Sequence, residues 1–150
     1  MSRDDERKRL FGYLDERFGI PFHQFDHYLL YRRKKAWFLM RRSPQLAQAA
    51  HLKITKAGLR AFQRVGAFIK PTTRFIQLFG RHATRGIYPL NRGQLKALIA
   101  GDEIPVDLEM DKGYVILTLE RGDVLGLGFF INHAIRSQLP KRELKPEMMI

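Results

Sequence analysis

Sixteen lysine and arginine side chains lie between Asp26 and Asp102, and the 75 residues separating those two carboxylates include no aspartate or glutamate. Cations gathered so one-sidedly repel one another. The chemistry they suit is the binding of a polyanion, and the commonest soluble polyanion is nucleic acid. Arg32, Arg33, Lys34 and Lys35 are consecutive, with Arg41 and Arg42 close behind. A second set, Arg81, Arg85, Arg92 and Lys96, and a third, Arg136, Lys141 and Arg142, complete the candidate RNA contacts. The chain as a whole holds 27 basic and 15 acidic residues, a net charge of +12.

Other chemistries have weaker support in the residue types. With no cysteine, disulfides, thiolate metal sites and cysteine nucleophiles are excluded, and a reducing, cytoplasmic setting is the expectation. His23 and His27 stand four apart beside Asp26, but Pro21 and the strand-like residues that follow oppose the helix that would aim both at one metal. No metal and no cofactor are expected. His82, between Arg81 and Arg85, is a further candidate for phosphate contact. Asp102, Glu103, Asp107, Glu109 and Asp111 cluster in sequence and read as an acidic loop that repels RNA from the wrong side. Gly126-Leu127-Gly128 lacks the third glycine and the following helix of a dinucleotide fingerprint; its glycines suit a bending strand. Trp37 and Tyr88 are candidates for stacking on unpaired bases.

These groups need elements to hold them. Ser2, Asp4 and Asp5 open a helix whose apolar face is Leu10, Phe11, Leu14 and Phe18, and Gly19 stops it. Phe25 to Tyr31 and Ala36 to Arg42 predict a β-hairpin with a cationic tip. From Leu46 to Phe68 the pattern predicts helical stretches broken by Gly58 and Gly66, with Leu59, Phe62, Val65 and Phe68 on one face at a spacing of three. Arg60 and Arg64 then fall on the solvated side. The pattern leaves the state of Phe75 to Phe79 open. After a boundary near Gly80, a strand from Arg85 to Leu90 precedes a helix capped by Asn91 and ended by Gly101. Strands follow at Ile104–Val106, Gly113–Leu119 and Val124–Phe130, spaced as in a small barrel. No apolar run approaches the roughly 20 residues that cross a bilayer.

Several motifs now stand in order: Gly101-Asp102-Glu103-Ile104, Gly113-Tyr114-Val115-Ile116-Leu117, Val124-Leu125-Gly126-Leu127-Gly128, then Asn132 and Leu139-Pro140-Lys141. This arrangement resembles a PUA-like RNA-binding domain, in the version that ends the Sun-family RNA cytosine-5 methyltransferases. Ala57-Gly58-Leu59 and Lys70-Pro71-Thr72 resemble the segment preceding that barrel, so the likeness runs from about residue 50 to 142. The spacing from Asn132 to Pro140 is longer than the usual ending. The resemblance implies an α+β fold, with a helix and hairpin lobe over residues 1–80 followed by a PUA-like β-barrel over 81–150. It implies RNA bound against the first barrel helix and the adjoining strands. It does not bring catalysis, because the cysteine and glycine-rich donor loop of those enzymes have no counterpart here.

The expected function is therefore non-catalytic binding of structured RNA, ribosomal or transfer, by an accessory or assembly factor partnered by RNA and by a methyltransferase or ribosomal subunit. One alternative is a small hydrolase or RNA-processing enzyme with a barrel-cleft site near Lys96 and Lys112. It requires a carboxylate or hydroxyl beside a cation inside a pocket. Another is a protein-docking subunit of a ribonucleoprotein, which requires an exposed apolar patch.

Overall fold

Acidic Asp4, Asp5 and Glu6 occupy the first turn of helix α1 (Arg3–Phe18), where they complement the positive end of its dipole. The computed structural model describes residues 3–42 and 58–140; Ser2, the stretch from Leu46 to Ala57, and Lys141 and Arg142 lie outside them. Helix α1 buries Leu10, Phe11, Leu14 and Phe18. Gly19 ends it at φ 65°, with its N–H donating to Asp15 O (2.8 Å) and the Ile20 N–H to Leu14 O (3.3 Å). That pair of bonds is a left-handed glycine cap. A single 3-10 turn, Phe22–Phe25, then swings Phe25 inward to stack on Phe11, with centroids 4.3 Å apart.

The first sheet is an antiparallel meander of β1 (Tyr28–Arg33), β2 (Ala36–Arg41), β3 (Leu59–Val65) and β4 (Phe68–Pro71). The expected cationic hairpin is present, but its turn is only Lys34-Lys35, while Arg32 and Arg33 belong to β1. Residues 59–68 are not helical as their spacing suggested. They form a second hairpin around Gly66, which sits at φ 62°. A β-bulge explains the misleading period. Trp37 pairs with Phe62 but Phe38 pairs with Arg60, so Ala61 is the extra residue, and Leu59 and Phe62 share the inner face although they are three apart, whereas Val65 and Phe68 do not join them and are exposed.

Helix α2 (Thr73–Phe79) starts at Thr72, whose hydroxyl accepts the Phe75 N–H at 3.2 Å. The element that the pattern left open is therefore a helix. It drives Phe75 into an aromatic core, where its ring lies 5.2 Å from Phe62 and 5.8 Å from Phe25.

Beyond a 3-10 turn at Gly80–His82 come β5 (Ile87–Leu90), α3 (Arg92–Ile99), β6 (Ile104–Pro105), β7 (Gly113–Leu119), β8 (Val124–Ile131) and β9 (Ala134–Ser137). They build a second sheet in the order β5-β7-β8-β9-β6. It is parallel only between β5 and β7 and curls into a half-barrel. The class is α+β, as expected. Asn91 caps α3 with a full capping box to Gln94. Strand β9 was not anticipated. Asn132 and His133 both take positive φ, 54° and 58°, the geometry of a tight hairpin turn usually marked by Asn-Gly.

The second sheet is buried on both faces. Ile116 and Leu127 join the core of α1, α2 and the first sheet, whereas Val115, Leu117, Phe130 and Ile135 pack with Leu95 and Leu98 of α3. One core thus draws residues from both sides of Gly80. Gly126 and Gly128 serve close approach: a Cβ on Gly126 would run into Leu139 and stand 3.2 Å from Thr73 Cγ2, and one on Gly128 would stand 2.6 Å from Ile135. The bareness of Gly126 lets the start of α2 and the segment at Leu139 lie directly on β8, and that of Gly128 admits Ile135 of the neighbouring strand.

Candidate functional site

Several arginines hold the fold together, and one of the cations singled out in the sequence, Arg85, is among them. The Arg85 guanidinium caps α1, donating to Asp15 O (2.5 Å) and Glu16 O (2.9 Å). Arg17 Nε donates to Tyr114 O at 2.8 Å. Arg7 donates to Phe25 O (2.6 Å) and Tyr28 O (2.8 Å). Helix ends and turns leave carbonyls without intrahelical partners, and a guanidinium answers several at once.

The hairpin group is partly neutralised. Arg32 pairs with Glu6 at 3.5 Å and lies over the Trp37 ring at 5.1 Å; Arg64 approaches the same ring at 5.9 Å. Trp37 is buried, only 2 % exposed, and its Nε1–H donates to Glu6 at 3.3 Å. It is a core residue under arginines, not a stacking platform for bases. Arg33, Lys34 and Lys35 are exposed around the turn.

On the other sheet, Arg92 and Lys96 are exposed one turn apart on α3. Tyr88 is tied to that helix, its hydroxyl accepting from Gln94 Nε2 at 2.8 Å. Arg81 is exposed and reaches the neighbouring His82. Burial, and then the charges of Arg81 and His23, hold His82 below the ordinary histidine range, so it adds no cation at neutral pH. Arg136 pairs with Glu103 at 3.1 Å. The described members of the three predicted sets therefore sit on separate elements, and Arg32, Arg85 and Arg136 are occupied by contacts within the chain.

A different group converges. A groove of about 400 Å³ lies between the β3–β4 hairpin, the start of α2 and the segment after β9, lined by Arg60, Gln63, Lys70, Pro71, Thr72, Thr73, Arg74, Gln138, Leu139 and Pro140. It contains three cations and no carboxylate. The β3–β4 register sets Gln63 opposite Lys70, and the bulge at Ala61 turns Arg60 to the same side. Thr72 fixes the corner, its hydroxyl donating to Arg60 O at 2.7 Å while capping α2. Lys70 Nζ donates to Gln138 Oε1 at 3.2 Å and lies 5.8 Å from the centre of the Tyr114 ring. Partial burial lowers the Lys70 pKa below that of a free lysine. An anion entering the groove would restore the charge that burial disfavours.

A second cavity, about 530 Å³, stands on the other side of Leu139 and is lined by Leu98, Ile99, Asp102, Glu103, Arg136 and Ser137 among others. It does place carboxylates and a hydroxyl beside an arginine. Yet Glu103 faces Arg136, both groups are more than half exposed, and Ser137 Oγ accepts the Leu139 N–H in a local turn. Nothing in that geometry activates the hydroxyl. Its carboxylates oppose phosphate, so the two cavities flanking Leu139 differ in sign.

Arg60, Lys70 and Arg74 were not among the sequence candidates, because Arg60 was assigned to a helix face and the other two are isolated in sequence. Their shared signal is position within the acid-free stretch. Among the described residues, no three histidine, aspartate or glutamate side chains converge as a metal site would require. No helix among them is long and apolar enough to cross a membrane. No protein-family model matches the chain, and no curated protein shows detectable similarity to it.

Proposed function

We propose that the protein binds structured RNA through the groove between its two sheets, as a non-catalytic accessory or assembly factor acting on ribosomal or transfer RNA in the cytoplasm. The observation that carries this reading is the composition of the groove: Arg60, Lys70 and Arg74 line it without a carboxylate, while other arginines are engaged by backbone carbonyls and by glutamates. The curled second sheet, with α3 against it, is compatible with the PUA-like barrel that the sequence resembles, and a methyltransferase or ribosomal subunit is the partner that likeness implies. Phosphates would displace counterions from the three groove cations, with Arg92 and Lys96 of α3 extending the contact.

Fluorescence anisotropy with labelled transfer RNA across a salt series tests this. The three groove contacts on a single-stranded segment contribute roughly −2 to the slope of log K against log salt, to which Arg92 and Lys96 add. The Arg60→Ala, Lys70→Ala, Arg74→Ala triple variant should flatten that slope. Equal competition by heparin, duplex DNA and RNA, or a slope unmoved in the triple variant, would reduce the binding to general charge.

A further inference from the structure

We infer that the groove accepts one unpaired nucleotide of the RNA, its phosphate on the arginines and its base edge on two glutamine amides. The inference rests on the RNA reading and narrows it from shape recognition to an extruded or single-stranded residue. Size is the first argument. At about 400 Å³ the groove falls in the range of roughly 300–1,000 Å³ typical of small-ligand sites, which suits a single nucleotide.

Chemistry is the second argument. Gln63 and Gln138 sit on opposite walls of the groove. The Gln138 oxygen is taken by Lys70 Nζ, so its N–H groups are the part left to donate to a base carbonyl or ring nitrogen. Gln63 is exposed and brings both a donor and an acceptor. Leu139 and Pro140 add an apolar wall for the flat face of a base. Paired bases hide the edges these amides would read, whereas unpaired bases in loops and bulges expose them. The acidic cavity across Leu139 disfavours the phosphate in the reverse orientation.

The test compares one labelled 12-nucleotide RNA as a single strand, the same strand annealed to its complement, and a stem-loop of the same length, each by anisotropy at fixed salt. Single strand and loop should bind at least about tenfold more tightly than duplex. Gln138→Ala and Gln63→Ala should each lose about tenfold on the single strand and narrow the gap between single strand and duplex. Thermal melts of both variants confirm that they fold, and 4-thiouridine placed in the loop should crosslink within residues 136–140 or 60–64. Duplex bound as tightly as single strand would overturn the inference while leaving the RNA reading intact. Unchanged single-strand affinity in both glutamine variants would overturn it in the same way. No binding to any of the three RNAs would remove the RNA reading itself.

Discussion

The end of α1 and the groove beside Lys70 use the same residue types to opposite effect. At the helix end, Arg85 lies on the carbonyls of Asp15 and Glu16, so its positive charge is answered by the chain itself. In the groove, Arg60 and Arg74 are exposed, the Arg60 guanidinium 5.8 Å from the centre of the Phe38 ring, and among the described residues Lys70 meets a glutamine oxygen and a tyrosine ring. A cation satisfied internally contributes to stability. One aimed at open space without an acid leaves a favourable place for a foreign anion. Net charge is the sum of both kinds and does not tell them apart.

Reversing the groove breaks the comparison most sharply. Arg60→Glu with Arg74→Glu should lower RNA affinity about 100-fold or more at 0.1 M salt, since each lost contact on a single strand is worth about fivefold there and repulsion adds to it. Melting temperature should change little, because neither side chain answers a buried carbonyl. A large fall in melting temperature with intact RNA affinity would exchange the roles of the two regions.

The helix end should behave the other way. Arg85→Ala removes two charge-assisted bonds at an exposed position, which costs about 1–2 kcal/mol after solvent replaces them. In a chain of 150 residues that corresponds to a fall of roughly 3–8 °C in melting temperature. RNA affinity of the folded protein should stay within about twofold. Calorimetry and anisotropy on the same preparation separate the two effects, and a strong loss of RNA binding at unchanged stability would return Arg85 to the binding surface.

How much of this was legible in the sequence follows from the range of the interactions. Helix α1, the Lys34-Lys35 hairpin, α3 with its Asn91 cap, and strands β7 and β8 were readable because their signals are local: caps, glycine stops and alternating apolar residues. The β3–β4 hairpin was misread since a bulge at Ala61, set by pairing with β2, gives a strand the spacing of a helix. Strand β9 escaped because its turn is Asn-His, which lacks the glycine that normally marks two positive φ angles. The groove was illegible for a related reason. Lys70 and Gln138 are 68 positions apart and meet only once α2 and the Leu139 segment settle on the bare surface of Gly126. Nor does sequence reveal that Trp37 lies buried against Glu6.

Lys70 sharpens the comparison through pH. Burial lowers its pKa, with Gln138, Tyr114, Arg60 and Arg74 as the groups nearest its surroundings in the groove. The charged form is therefore the one burial disfavours, and it is lost as pH rises through a value below the free-lysine 10.5. The burial penalty carried by the protonated form is lifted over the same interval, so its effect on stability opposes its effect on binding. RNA affinity should begin to fall before ordinary lysines titrate, by up to about fivefold at 0.1 M salt as one phosphate contact disappears. Lys70→Arg should abolish this early fall while keeping the affinity at pH 7. A pH profile identical in wild type and Lys70→Arg would remove Lys70 from the contact.

Arg92 supplies the smallest and most discriminating effect. It is the first residue of α3, where the helix dipole is positive, and no acidic residue occupies that first turn. A cation there is unfavourable by about 0.3–1 kcal/mol, and an anion is favourable by a similar amount. Arg92→Glu should therefore raise the melting temperature by about 2–6 °C, the reverse of Arg85→Ala. If Arg92 also touches RNA, affinity falls in the variant that folds more firmly, a pattern that lost stability cannot imitate. Were stability to rise with no change in affinity across the salt series, the binding surface would end at the groove and exclude α3.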